Sequence, residues 1–206
     1  MYCSDVSGAF DKVRSQRLLE KLAAQGVRPR ILAILRSWLA ERQAKVIVGG
    51  SSSSGISMHD MIFQGTVFGP PLWNVFYADA RDAVAEHSFQ EIIFADDLNA
   101  YRTFSADCAD ELLFAAMDDC QSSLHRWGQA NGVLFDSGKE SKHILSISRP
   151  VGDDFTILGV RFDCKLLMRG AISDCAGEAS WRIASLLHSR RYFSQADLIG
   201  LYRLIR

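Results

Sequence analysis

The chain has 206 residues, 48% of them hydrophobic, enough for one real core and a small second subdomain. A formal net charge of −1 excludes a uniformly basic nucleic-acid binder. Five scattered cysteines without a CxxC pair exclude a disulfide framework or zinc site and read as a reduced, intracellular protein. No apolar run approaches the roughly 18 residues of a membrane span, so no membrane partner is expected.

The stretch MYCSDV reads as a short strand ending at Asp5. RSQRLLEKLAAQGV places Leu18, Leu19, Leu22 and Ala23 at helical spacing, with Gly26 as the stop. PRILAILRSWLAER is a second amphipathic helix. AKVIVGG followed by SSSSGISMHDMI predicts a hairpin. FQGTVFGPP is a loop that feeds a helix through residues 72–87, with Pro71 near its first turn. QEIIFADDLNAYRTF predicts two short strands with Asp96 and Asp97 between them. A long helix then runs to a cap at Asn131-Gly132, and SKHILSIS and FTILGVRFD are expected as strands of a second hairpin. From about Ser173 the chain reads as helical, with Ser194 and Asp197 placed to cap the last helix. One sheet with segregated helices is an α+β arrangement.

Charge is unevenly placed. Residues 12–45 carry nine Lys and Arg against two Glu, residues 77–120 eleven Asp and Glu against two Arg, and residues 176–206 five Arg against two acids. Basic flanks around an acidic middle suit a metal-centred site with walls that contact a polyanion; ordinary solvated helix faces give the same pattern. Asp5 ends one strand and Asp96 and Asp97 another. If those strands are neighbours, three carboxylates converge and repel unless a cation sits among them. Hard oxygen ligands select Mg²⁺ or Mn²⁺. Two such ions about 4 Å apart would clamp the attacking and leaving oxygens of a phosphoryl displacement. The Val6 carbonyl beside Asp5 would complete a coordination shell. An Asp-Asp pair in a hairpin is also plain turn chemistry.

Five stretches in order resemble the motifs of reverse transcriptases, those of non-LTR (LINE-type) retrotransposons in particular. SDVSGAFDKV resembles motif A, an Asp, four small or apolar residues, then an aromatic. FQGTVFGPPLWNVFYAD resembles motif B, and FADD resembles the Tyr/Phe-Ala-Asp-Asp box. LFDSGKESKHIL resembles motif D, and FTILGVRFD the primer-grip hairpin. The Arg-rich helical end resembles the start of a thumb. The resemblance implies a polymerase palm over residues 1–150, an antiparallel sheet with helices on one face. A primer-grip-like hairpin over 151–172 and the start of a helical thumb over 173–206 would follow. It implies RNA-directed DNA polymerase activity, with Mg²⁺ (or Mn²⁺), an RNA template, a DNA primer and dNTPs, in the nucleus or cytoplasm.

Carried over residue by residue, Asp5, Asp96 and Asp97 are the catalytic carboxylates. Asp5, Val6, Asp96 and Asp97 are the metal-binding set, with Asp5 and Asp96 the better direct ligands. Phe10 matches the residue that crowds the sugar 2′ position; a core aromatic beside a helix start is the plainer reading. Asp11 is structural in the family pattern. Gln64 and Gly65 would touch the incoming nucleotide and template. Lys139 matches the motif D lysine, a proton donor to pyrophosphate, and reads equally as a surface lysine. Leu158 and Gly159 would hold the primer end. His59, His87, His125, His143 and His188 have no metal spacing and are taken as structural.

The sequence departs from the pattern at several points. Phe63 replaces the usual Pro of motif B, and Phe68-Gly69-Pro70-Pro71 a more aliphatic run. In motif D, Asp136 stands for Asn, and Glu140 for Thr, which sets an acid next to Lys139. Asp5 lies four residues from the start, and Arg206 falls inside the thumb, so the chain reads as truncated at both ends, its fingers region to come from upstream sequence or a partner. A catalytically inactive remnant that at most binds nucleic acid weakly is the alternative, and a different two-metal phosphotransferase or nuclease a third.

Overall fold

The computed structural model of the protein describes residues 1–40, 42–58 and 60–204. The roles expected for His59 and Arg206 lie outside the described residues. The chain divides into two compact units, Met1–Lys142 and His143–Arg206. It mixes helices with antiparallel sheets, as the α+β expectation requires.

Strand β1 (Tyr2–Ser4) is buried at every position. A 3-10 turn over Ala9–Lys12 leads to α1 (Ser15–Ala24), which buries Leu18 and Leu22 one turn apart. Helix α2 (Pro29–Leu39) opens on a proline, whose missing N–H is no loss in a first turn. Next comes a long hairpin of β2 (Arg42–Ala44), β3 (Ile47–Val48), β4 (Ser51–Ser52) and β5 (Ile56–Met58). β2 pairs with β5 and β3 with β4, around a Gly49-Gly50 turn.

The helix expected through 72–87 is two helices, α3 (Gly69–Tyr77) and α4 (Ala80–Ala85). Lys21 of α1 accounts for the break. Its ammonium donates to the Phe76 carbonyl and to the Asp79 carboxylate, 2.7 Å each, and the Trp127 indole N–H donates to the same Asp79 oxygen. A cation taking a carbonyl at the end of α3 does what a C-terminal cap does. Burial lowers the pKa of this lysine, while Asp79 pulls it back up.

Strands β6 (Gln90–Phe94) and β7 (Asp97–Tyr101) form the expected hairpin. Helix α5 (Asp110–Asn131) ends at Gly132, φ +76°. A side chain at Gly128 would lie 2.8 Å from the Val133 carbonyl, so this glycine lets the chain double back along α5. Of the strand expected over 141–148, only β8 (Ser141–Lys142) forms, and it pairs with β1. The resulting antiparallel sheet has the order β6-β7-β1-β8.

In the second unit, β9 (Phe155–Ile157) and β10 (Val160–Phe162) pair with each other through the Leu158-Gly159 turn. The second hairpin thus lies within FTILGVRFD and does not use SKHILSIS as a strand. A two-residue turn closes at less entropic cost than a longer loop. Phe155 stacks on His143 and Phe162. Helices α6 (Arg169–Ser189) and α7 (Gln195–Leu204) follow. The hydroxyl of Ser194 accepts from the Asp197 N–H and donates to the Asp197 carboxylate, the expected cap. No described helix is long and apolar enough to cross a membrane.

Lys21→Met keeps the stem's packing but leaves Asp79 and the Phe76 carbonyl without their cation. The expected loss is about 2 kcal/mol, a fall in Tm of roughly 5 °C by calorimetry.

Candidate active site

The sheet register gathers the acids. β1 pairs with β7 as Tyr2↔Ala100, Cys3↔Asn99 and Ser4↔Leu98. Asp5 follows directly after β1, Asp97 opens β7, and Asp96 lies in the turn just before it, so the three acids lie at one end of this strand pair. The chain beyond β1 is fixed on its other side by Val6↔Phe135. There the Asp136 N–H donates to the Asp5 carbonyl and the Ser7 N–H to the Leu134 carbonyl. The Val6 carbonyl is therefore turned away from that neighbour. The Asp5 and Asp97 carboxyl groups are close enough for each to feel the other's charge.

Asp96 sits in a two-residue turn closed by the Phe94↔Asp97 pair. Its partner in the turn, Ala95, has φ +53°, a region that suits glycine and strains alanine by about 1–2 kcal/mol. The turn is held from below. Trp73 of α3 donates its indole N–H to the Ala95 carbonyl at 2.7 Å. Trp73 is itself buried, with ring centroids 5.7 Å from Phe10 and 5.0 Å from Tyr77.

The electrostatics follow from this crowding. Burial raises the Asp97 carboxyl above its ordinary range, and the fields of Asp5 and Asp96 add to it, while Lys139 opposes them. Burial also raises the Tyr77 phenol, with Asp96, Asp5 and Asp97 adding in that order. The Tyr77 hydroxyl is buried and has no hydrogen-bond partner among the described residues. The exposed Lys139 ammonium lies 2.6 Å from Asp5 Oδ2, and that contact raises its own pKa. Three acids thus share one cationic side chain.

These carboxylates are hard oxygen donors that repel one another, a set whose chemistry fits a divalent cation. Among the described residues, no group of three or more His, Cys, Asp or Glu side chains is placed to hold a metal ion. Mg²⁺ seldom needs such a group, since it takes one or two carboxylates together with waters and substrate phosphates.

The motif B loop lies beside Phe10, whose carbonyl accepts the Ile62 N–H at 2.8 Å. Gln64 and Gly65 form an exposed turn, Gly65 at φ +79°. The unusual aromatics of this loop have partners. The Arg42 guanidinium lies over the rings of both Trp38 and Phe63, and Phe68 meets Trp38 edge to face. Pro70 and Pro71 fall in the first turn of α3, where they are tolerated. Leu158 and Gly159 form the turn of the second unit's hairpin, both at positive φ. Glu140 does not face Lys139. Its side chain turns inward and accepts from Tyr2, Gln121 and His125. His125 is thus a structural partner of Glu140, and His87 of Ser123. Sequence reading missed Trp73, Tyr77 and Glu140 as shapers of the site. The only signal for the first two was their aromatic spacing of one helical turn on α3.

The profile of the family described as reverse transcriptase (RNA-dependent DNA polymerase) matches residues 1–162. The chain is 25% identical over 224 residues to the RNA-directed DNA polymerase from mobile element jockey of Drosophila funebris. That alignment covers 98% of this chain and 24% of the relative, so the chain spans about a quarter of the relative's length.

Two substitutions test this geometry. Trp73→Phe keeps an aromatic ring, removes the donor to Ala95 and leaves a small cavity. The expected loss is about 2–3 kcal/mol, with faster amide exchange in the 94–97 turn; unchanged exchange there would contradict the anchoring role. Asp97→Asn reports on the crowded acids. Because the folded pKa of Asp97 lies above its ordinary 3.8, ionisation disfavours the fold, and stability falls as pH rises through that window. Asp97→Asn is therefore expected to raise Tm at pH 7 in the presence of chelator, with the gain disappearing below the ordinary carboxylate pKa.

Proposed function

The chain belongs to the reverse transcriptase family, of the non-LTR (LINE-type) kind, and on that premise we propose that Asp5, Asp96 and Asp97 carry nucleotidyl transfer from a dNTP to a primer 3′-hydroxyl. The observation that carries the reading is the convergence of these carboxylates at the end of β1 and the β6–β7 turn. Asp5 and Asp96, with the Val6 carbonyl and Asp97 beside them, would hold Mg²⁺ (or Mn²⁺). When bound, such ions acidify a hydroxyl and neutralise charge on a transferring phosphoryl group.

The chain's own groups do the rest. Phe10, backed by Trp73, forms the wall against the sugar 2′ position. Gln64 and Gly65 meet the incoming nucleotide and the template. Lys139 would give its proton to the departing pyrophosphate. Leu158 and Gly159 hold the primer end. Residues 1–150 act as the palm, 151–172 as the primer-grip hairpin and 173–206 as the start of the thumb. The work would take place in the nucleus or cytoplasm.

Primer extension on poly(rA)/oligo(dT) with Mg²⁺ or Mn²⁺ tests the reading, using the purified chain beside Asp96→Asn. Extension reduced about a thousandfold in the variant is expected, a barrier change of about 4 kcal/mol. Equal extension by both proteins, or none from a chain shown to be folded, would overturn it for this chain.

A further inference from the structure

Lys139 and Glu140 are neighbours in sequence, yet their side chains go opposite ways. Lys139 is exposed and reaches Asp5. The Glu140 side chain is only 6% exposed. It accepts hydrogen bonds from the Tyr2 hydroxyl, from Gln121 Nε2 at 3.1 Å and from His125 Nε2 at 2.7 Å. Tyr2 lies on β1, three residues before Asp5, and Gln121 and His125 lie one turn apart on α5. A buried carboxylate with three donors has one place to be. His125 is steadied in turn by stacking on Phe135, 5.3 Å between centroids.

The short loop that carries Lys139 is tied at its other end too. The Asp136 N–H donates to the Asp5 carbonyl at 3.0 Å, and the Asp136 carboxylate accepts the Gly138 N–H at 3.0 Å. The N–H groups of Lys139 and Glu140 both donate to the Asp136 carbonyl. Lys139 thus hangs between a backbone tie to Asp5 and a side-chain anchor between β1 and α5.

We propose that Glu140 is a positioning residue, whose bonds to Tyr2, Gln121 and His125 fix the 136–140 loop so that the Lys139 ammonium is delivered to Asp5. The proposal rests on the polymerase reading only for what Lys139 does there; the delivery itself can be measured without turnover. Glu140 stabilises the fold as any buried anchor does. Its particular effect is on one amine whose own side chain it does not touch.

Amine acylation followed by peptide mass spectrometry reads that effect in the full chain. Lys45 and Lys165, both exposed, serve as internal references. Lys139 should label slowly in the wild type, because its ammonium is engaged by Asp5. Glu140→Ala is expected to raise Lys139 labelling about two- to fivefold, the weight of an exposed ion pair, with the references unchanged. Glu140→Gln, which keeps an accepting oxygen for Tyr2, should stay close to wild type. His125→Ala removes one donor from the more exposed side and should fall between. If Glu140→Ala does not fold, the contrast between His125→Ala and Glu140→Gln decides the matter. Lys139 labelling that stays at the wild-type rate in every folded variant would overturn the proposal and leave Glu140 as a stabilising anchor alone. Loss of the expected labelling pattern bears on Glu140; failure of primer extension with the pattern intact bears on the polymerase reading.

Discussion

One hydrogen bond, from the Trp73 indole to the Ala95 carbonyl, holds the part of the molecule on which the site depends. The turn it secures combines two unfavourable features. Ala95 sits at a backbone angle suited to glycine, and the next two residues are carboxylates set against a third. Neither is stable on local grounds. Strained, like-charged turns persist where the surroundings over-determine them. Here the surroundings are a buried indole, the Phe10 and Tyr77 rings against it, and the ladder of β7 on β1. The same ring that props the turn also packs against Phe10.

The acids at this end of the sheet are crowded. Burial, with the fields of Asp5 and Asp96 added to it, raises the proton affinity of Asp97, and Lys139 opposes that shift; burial and the same three acids raise that of the Tyr77 phenol. A fold selected for stability alone would pair or dilute these acids. Glu140 could have added a further acid to the cluster or neutralised Lys139. It does neither, because Tyr2, Gln121 and His125 draw it under the sheet.

Much of this was legible in the sequence wherever the cause was local. The Asp-Asp hairpin, the Gly26 and Gly132 stops, the Gly49-Gly50 turn and the Ser194 cap all follow from residues within a few positions of each other. What was not legible depends on partners far along the chain. The break between α3 and α4 is made by Lys21, 55 residues before the carbonyl it caps. β8 leaves its expected hairpin because β1 offers an open edge more than 130 residues earlier in the chain. Adjacency misled in the case of Glu140, since neighbouring side chains in a tight loop need not share a side. The three acids were read as a group from the family motifs, and the register of β1 on β7 supplies the physical reason they meet.

On the proposed function, Asp5 and Asp96 form a cation-receptive pair held by the Trp73-supported turn. Thermal unfolding with and without Mn²⁺ reads such a pair, because a ligand that binds only the folded state raises its stability by mass action. A Mn²⁺-dependent rise in Tm is expected for the wild type, absent in Asp5→Asn and Asp96→Asn and weakened in Trp73→Phe. A rise of the same size in all four proteins, or in none, would contradict it.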